Sequence, residues 1–91
     1  MSATKVTPLG QVFIARLASA TLSAAEVHAA LERHECGDWG ECCRADWKAN
    51  DAALKAGDRL VSVYRTADGK KFWIITEHDR SMTTVLLPEE Y

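Results

Sequence analysis

The residues most capable of chemistry lie close together near the middle of the 91-residue chain. They are one histidine and all three cysteines, namely His34, Cys36, Cys42 and Cys43. Imidazole and thiolate ligands favour zinc, but structural zinc sites pair their ligands two to four residues apart in two separate turns. This segment has one such pair and then two adjacent cysteines, which do not readily both turn inward. The spacing therefore predicts no metal site and favours ordinary packed thiols.

The same residues lack the partners that a thiol enzyme requires. A cysteine nucleophile with a histidine base needs a third orienting group and an oxyanion pocket, and the sequence indicates neither. The carboxylates Glu77, Asp79, Glu89 and Glu90 fall near a turn and near the C-terminus, where acidic side chains are usually solvated rather than catalytic. We expect no catalytic residue and no cofactor.

A nucleic-acid platform is an alternative that the strand residues keep open. Aromatic side chains on strands beside cations can stack bases, and the chain offers Tyr64, Phe72 and Trp73 beside Arg65, Lys70, Lys71 and Arg80. A net charge of −2 and a pI of about 5.9 give no broad basic surface for phosphates. Sheet aromatics also serve as core residues, so nucleic-acid binding stays the second hypothesis.

The elements that must position these groups begin with a hairpin. Two β-forming runs, Leu60 to Thr66 and Lys71 to Glu77, flank Ala67-Asp68-Gly69, a composition typical of a tight reversal. A three-residue loop with Gly69 left-handed pairs Tyr64 with Phe72 on one face of the hairpin and Val63 with Trp73 on the other. A two-residue loop would shift these partners by one residue.

A third strand, Met82 to Leu87, is predicted after the polar turn Glu77 to Ser81 and ends at Pro88. In the turn, Asp79 is expected to cap backbone amides and Arg80 to pair with Glu77. The result is a meander of three antiparallel strands.

Two helices are predicted upstream. Ser23-Ala24-Ala25-Glu26 reads as a capping box, and a helix over about 23–35 follows until Gly37 stops it. A second helix is expected from about Cys43 to Ala56, with Trp47 and Leu54 buried against the sheet. Between them, Asp38-Trp39-Gly40 forms an elbow.

These elements predict one α+β domain over residues 1–91. A three- to four-stranded antiparallel sheet is covered on one face by two helices, and the run Val12 to Leu17 is interpreted as the added strand. The three cysteines form no disulfide framework, and no leader or apolar run of membrane-spanning length is present in the sequence. We expect a cytoplasmic protein without a membrane partner.

The last two thirds of the chain, approximately, resemble a family of small uncharacterised proteins carried on bacterial plasmids and integrative elements. The resemblance is carried by Gly37-Asp38-Trp39-Gly40, Asn50, Ala53-Leu54, Gly57, Tyr64-Arg65-Thr66, Trp73-Ile74-Ile75-Thr76-Glu77, Asp79-Arg80-Ser81, Thr83-Thr84 and Leu86-Leu87-Pro88-Glu89-Glu90-Tyr91. Members are often labelled plasmid-related proteins or subunit M of a type I restriction enzyme. An adenine methyltransferase needs a cofactor-binding α/β domain and an Asn-Pro-Pro-aromatic type of motif, and this sequence holds neither. The resemblance implies a mobile-element accessory protein that counters a host defence system or regulates its own element.

The hairpin predicts where a partner would bind. Two helices cover only one face of the sheet, which would leave Tyr64, Phe72 and Ile74 uncovered in the preferred register. The rim of this patch would carry Asp38, Trp39, Asp79 and Arg80. We therefore expect a non-enzymatic protein that binds another protein, such as a host defence complex of the CRISPR or restriction type. Shielding of the patch by the N-terminal segment or by a second copy in a homo-oligomer is the alternative.

Overall fold

Residues 4–91 fold as one four-stranded sheet with three helices, the α+β class that the sequence predicts. The computed structural model describes residues 4–91. The strands are β1 (Gln11–Ile14), β2 (Leu60–Arg65), β3 (Lys71–Thr76) and β4 (Met82–Leu86), arranged in the order β1-β4-β3-β2. The helices are α1 (Arg16–Thr21), α2 (Ala24–Glu35) and α3 (Arg44–Ala56), and a short 3-10 turn spans Pro88–Glu90.

The hairpin of β2 and β3 has the register predicted for a three-residue loop. Tyr64 pairs with Phe72 and Val63 pairs with Trp73. The backbone amide of Thr66 donates to the carbonyl of Lys70 across the loop, and Gly69 is left-handed with a φ of 89°. β4 adds to β3 in the antiparallel sense as expected.

β1 completes the sheet but runs parallel to β4, so the sheet is mixed rather than wholly antiparallel. The predicted strand is present over its first residues only, because the chain turns into α1 at Arg16. The carboxylate of Glu90 holds this helix in place, since it accepts from the amides of Leu17 at 2.7 Å and Ala18 at 3.0 Å. A contact spanning almost the whole chain therefore determines where β1 ends.

The two predicted helices are present and end as their capping residues suggest. Ser23 Oγ accepts from the amide of Glu26 at 3.1 Å, while the Glu26 carboxylate accepts from the Ser23 hydroxyl and not from its amide. α3 begins after Cys43 and ends at Gly57, which is left-handed. The start of α2 and the end of α3 therefore follow local sequence signals.

The core lies between α1, α2 and one face of the sheet, which we call the covered face. Its cluster contains Ala18, Leu22, Val27, Ala30, Tyr64, Phe72, Ile74, Val85 and Leu87. α3 takes a different position, against β2 at the border of the sheet. Trp47 and Leu54 are only half-buried there, so the expectation that both are buried against the sheet is wrong. The one buried residue of α3 is Asn50.

Candidate functional site

The patch that the sequence predicts for a partner is closed in the structure. Tyr64 and Phe72 are each 2% exposed and Ile74 is 0% exposed. The rings of Tyr64 and Phe72 pack with their centroids 5.8 Å apart, and α1 and α2 cover all three residues. The expectation that these three residues lack a cover is wrong, because α1 and α2 pack on this face, and the six-residue helix α1 has no local sequence signal.

The elbow residues Asp38 and Trp39 have structural partners. The Asp38 carboxylate accepts from Arg33 Nε at 2.8 Å and Nη2 at 3.2 Å, which lowers the pKa of Asp38 and raises that of Arg33. The Asp38 carbonyl accepts from the Tyr64 hydroxyl at 2.6 Å. Trp39 is 0% exposed, and its indole donates to Asp51 Oδ1 at 2.9 Å. Asp38 is half-buried and stays accessible, but Trp39 cannot contact a partner.

Asp79 and Arg80 form the turn between β3 and β4 and also stabilise the fold. Asp79 accepts from the Ser81 hydroxyl at 2.6 Å and from the Ser81 amide at 3.1 Å, and these bonds lower its pKa. The guanidinium of Arg80 donates to the carbonyls of Asp58 at 2.6 Å and Glu77 at 3.1 Å. The predicted cap is confirmed, while Arg80 bonds the backbone of Glu77 rather than its carboxylate.

The predicted rim is therefore divided. The elbow with Asp38 lies beside Val63 and Tyr64, near the C-terminal end of β2. Arg80 lies near the N-terminal end, where it donates to the carbonyl of Asp58 just before the strand begins. Tyr64, Phe72 and Ile74 are buried in the core and form no surface patch between them. The structure does not bring the predicted site residues together into one binding site.

His34 lies in a buried chain of hydrogen bonds and not in a metal centre. Its Nδ1 lies 2.6 Å from Ser62 Oγ and its Nε2 lies 2.8 Å from Thr76 Oγ1. Thr76 Oγ1 lies 2.8 Å from Thr83 Oγ1, which donates to the carbonyl of Leu9 at 2.7 Å. The members His34, Ser62, Thr76 and Thr83 are all fully buried.

The donor and acceptor roles in this series of hydrogen bonds assign the tautomer of His34. A carbonyl only accepts, so Thr83 must donate to Leu9 and must itself accept from Thr76. Thr76 then accepts from the protonated Nε2 of His34, and the Ser62 hydroxyl donates to Nδ1. A neutral imidazole satisfies every bond, and burial lowers the pKa of His34 to about 4, with Arg80 adding to the effect. His34 therefore has no lone pair free for a metal or a substrate.

The cysteines near His34 do not assemble with it. Cys36 and Cys42 are half-buried and Cys43 is exposed. The Cys42 thiol donates to the carbonyl of Trp39 at 3.2 Å, and burial raises its pKa, which makes it a poorer nucleophile. Over residues 4–91, no three histidine, cysteine or acidic side chains form a group that could hold a metal ion.

The structure leaves the opposite side of the sheet more accessible. On this side, which we call the open face, Val61, Val63 and Trp73 are half-buried between α3 and the C-terminus. A groove of about 420 Å³ separates α3 from β2 and is lined by Cys42, Asp46, Ala49, Asn50, Ala53, Arg59, Val61 and Val63. The sequence correctly placed Val63 and Trp73 on the second face of the hairpin but predicted that helices would cover it.

An aromatic and arginine cluster borders this groove. Tyr91 is 68% exposed and its ring meets Trp73 edge to face at a centroid distance of 5.3 Å. The Arg59 guanidinium lies 5.7 Å from the centre of the Tyr91 ring and donates to its hydroxyl at 3.1 Å. Arg59 also lies 3.6 Å from the Glu77 carboxylate. Arg59 and Tyr91 were missed because nothing in the sequence links a C-terminal tyrosine to the start of a distant strand.

No helix within residues 4–91 has the length and apolar character to cross a membrane.

Comparison with known proteins adds no relative to this description. No protein-family model matches the chain, and neither the curated proteins nor the solved structures gave a significant match.

Proposed function

We propose that this protein works without catalysis, by binding another protein at the open face. The observation that carries the proposal is the cluster of exposed Arg59 and Tyr91 with half-buried Trp73, beside an open groove. Tryptophan, tyrosine and arginine are the residue types that most often dominate the free energy of protein association. Half-buried Val61 and Val63 add apolar surface beside them.

The cluster is also organised in advance of binding. The ring of Tyr91 contacts both the Trp73 ring and the Arg59 guanidinium, and its hydroxyl accepts a hydrogen bond from Arg59. Side chains that are already ordered lose less conformational entropy when a partner binds. The cluster therefore supports an interface whose main contacts are formed by these three side chains.

The resemblance to mobile-element proteins supports a class of partner. Accessory proteins of such elements commonly act against host defence, so we propose an inhibitor that binds a CRISPR or restriction complex. The protein would act stoichiometrically in the cytoplasm, with no cofactor. This assignment rests on the resemblance, while the location of the interface rests on the open face.

The alternative, a nucleic-acid-binding regulator, has less support. Its stacking platform needs Tyr64, Phe72 and Trp73 on one surface, but the first two are 2% exposed and lie on the covered face. Lys70 and Lys71 remain exposed beside the hairpin loop, yet Lys70 lies 3.7 Å from the carboxylate of Asp68. Lys71 shares a face with half-buried Trp73, but the other two aromatics of the platform are buried on the opposite face.

The test compares matched arginine variants. Wild-type protein, Arg59→Ala, Tyr91→Ala and Arg65→Ala are immobilised, and proteins captured from a bacterial lysate are quantified by mass spectrometry. Arg65 is the control because it is an exposed strand arginine paired with Glu41 at 3.1 Å, at the opposite end of β2 from Arg59. We expect Arg59→Ala and Tyr91→Ala to weaken the binding free energy of a captured protein by more than about 1 kcal/mol. Arg65→Ala should leave this binding unchanged.

Two results would contradict the proposal. Equal capture by all four proteins would move the interface away from the open face. Tight binding of purified single-stranded or duplex DNA, with no protein captured, would favour the regulator instead.

A further inference from the structure

The outer edge of β1 is an apolar strand without a partner in the described part of the chain. Val12, Phe13 and Ile14 are 42%, 48% and 44% exposed, and Leu17 at the start of α1 is 48% exposed. β1 lies at the end of the sheet and pairs only with β4 within residues 4–91. Unpartnered edges in soluble proteins usually carry a lysine, a proline or a bulge that prevents pairing, and Gln11–Ile14 carries none of these.

The backbone of β1 directs alternate residues outward. The amides of Gln11 and Ala15 donate to the carbonyls of Ser81 and Val85, so the odd-numbered positions face β4. The amide and carbonyl groups of Val12 and Ile14 therefore point away from the sheet. They present two donors and two acceptors to whatever lies beside β1.

The opposite edge of the sheet is occupied. Val61 bonds the side chain of Asn50 through both its amide and its carbonyl. Val63 donates to the carbonyl of Trp39 and accepts from the amide of Glu41. The β1 strand of one molecule therefore cannot pair with the β2 edge of a second molecule. This blocks the head-to-tail contacts that would build an open filament.

We propose that β1 pairs antiparallel with β1 of a second copy, which joins two sheets into one of eight strands. One register satisfies every outward group: Val12 faces Ile14 of the second copy and Ile14 faces Val12, which forms four hydrogen bonds. Phe13 then lies on the two-fold axis opposite its own copy, in a pair without hydrogen bonds.

The side chains in this register match one another. The β-branched residues Val12 and Ile14 meet across the strands on the covered side, and the two Phe13 rings meet on the open side. No charged residue lies between Gly10 and Ala15, so no like charges face each other across the axis. This self-complementarity favours a second copy over an unrelated strand.

The dimer closes on itself and has a defined geometry. The two-fold axis runs perpendicular to the sheet, so both copies present their open face on the same side. The contact is small compared with a standard interface, so we expect a reversible dimer with a Kd of about 10–100 μM.

Sedimentation measurements over concentrations from about 5 to 500 μM test the association. We expect wild-type protein to pass from monomer to dimer over this range and Phe13→Lys to weaken the dimer at least about tenfold, because two lysines would face each other. Val6→Lys is the matched control, since Val6 is 44% exposed but lies outside the strand. Thermal melting of each variant at low concentration confirms that the monomer is folded.

Disulfide trapping tests the register separately. Phe13→Cys should form an intermolecular disulfide, because the two Cα atoms would lie about 4.5 Å apart. Gln11→Cys should not, because its copies would be displaced by roughly 13 Å along the strands. Wild-type protein controls for the three native thiols. A wild-type monomer at every concentration, a dimer that persists in Phe13→Lys, or equal trapping at both positions would overturn the proposal.

Discussion

The side chain of Asn50 pairs with the backbone of Val61 as a neighbouring strand would. Asn50 Nδ2 donates to the carbonyl of Val61 at 2.7 Å, and the amide of Val61 donates to Asn50 Oδ1 at 3.0 Å. This pair attaches α3 to the edge of β2. It explains why the most buried residue of that helix is polar while its apolar neighbours Trp47 and Leu54 are half-buried.

Asn50→Asp should destabilise the fold although the two side chains have the same shape. The new carboxylate would accept from the Val61 amide, but its second oxygen would face the Val61 carbonyl without a donor. We expect a loss of about 1–3 kcal/mol in the free energy of unfolding at pH 7, measured by urea denaturation. Lys48→Ala, an exposed change on the same helix, should have little effect. Equal stability of Asn50→Asp and wild type would refute this account of the pair.

The buried neutral His34 predicts how stability depends on pH. Its pKa is about 4 in the folded protein and 6.5 in the unfolded chain, so the unfolded chain binds more protons between these values. The stabilisation is complete above pH 6.5 and is lost progressively as the pH falls to 4, by about 3 kcal/mol in total. Urea denaturation at a series of pH values measures this loss.

Two histidine variants separate this effect from general acid unfolding. His34→Gln should be less stable at pH 7 but should lose much less stability between pH 6.5 and 4. His78→Gln should keep the wild-type slope, because His78 is exposed. A wild-type slope in His34→Gln would assign the pH dependence to other groups.

Gly40 and Gly57 form a matched pair for testing close packing. Both are left-handed, with φ of 76° and 77°, so an alanine at either position has a similar backbone cost of about 1 kcal/mol. A Cβ on Gly40 would also clash with the Val63 carbonyl oxygen, whereas one on Gly57 would meet nothing within 4 Å. We expect Gly40→Ala to lower the melting temperature far more than Gly57→Ala. Similar shifts would mean that the contact of Gly40 with β2 is easily relieved.

Zinc should not bind stoichiometrically. Both ring nitrogens of His34 bond hydroxyl groups, and Cys43 is exposed while Cys36 and Cys42 are half-buried. Protein made in zinc-supplemented medium should contain far less than one equivalent by elemental analysis, and a chelator should leave its melting temperature unchanged. One equivalent that survives dialysis, and whose removal lowers the melting temperature, would identify a site.

The sequence by itself determined the elements whose signals are local. The loop residues Ala67-Asp68-Gly69 favoured the observed hairpin register over the shifted register of a two-residue loop, because a left-handed Gly69 fits a three-residue loop. Ser23 and Gly57 marked helix ends because a capping hydroxyl and a left-handed residue act within one turn of the chain. The α+β class followed from these elements together.

Only the tertiary structure decided which face of the sheet is covered. α1 has six residues, too few for a periodic pattern, and Glu90 holds it across 73 positions of sequence. Two further contacts also join distant segments: Tyr91 packs on Trp73, and β1 pairs with β4. No local sequence signal predicts that β1 runs parallel to β4. These contacts join segments far apart in the chain, so each depends on how all the other elements pack, and apolar strand residues alone do not distinguish a covered face from an open one.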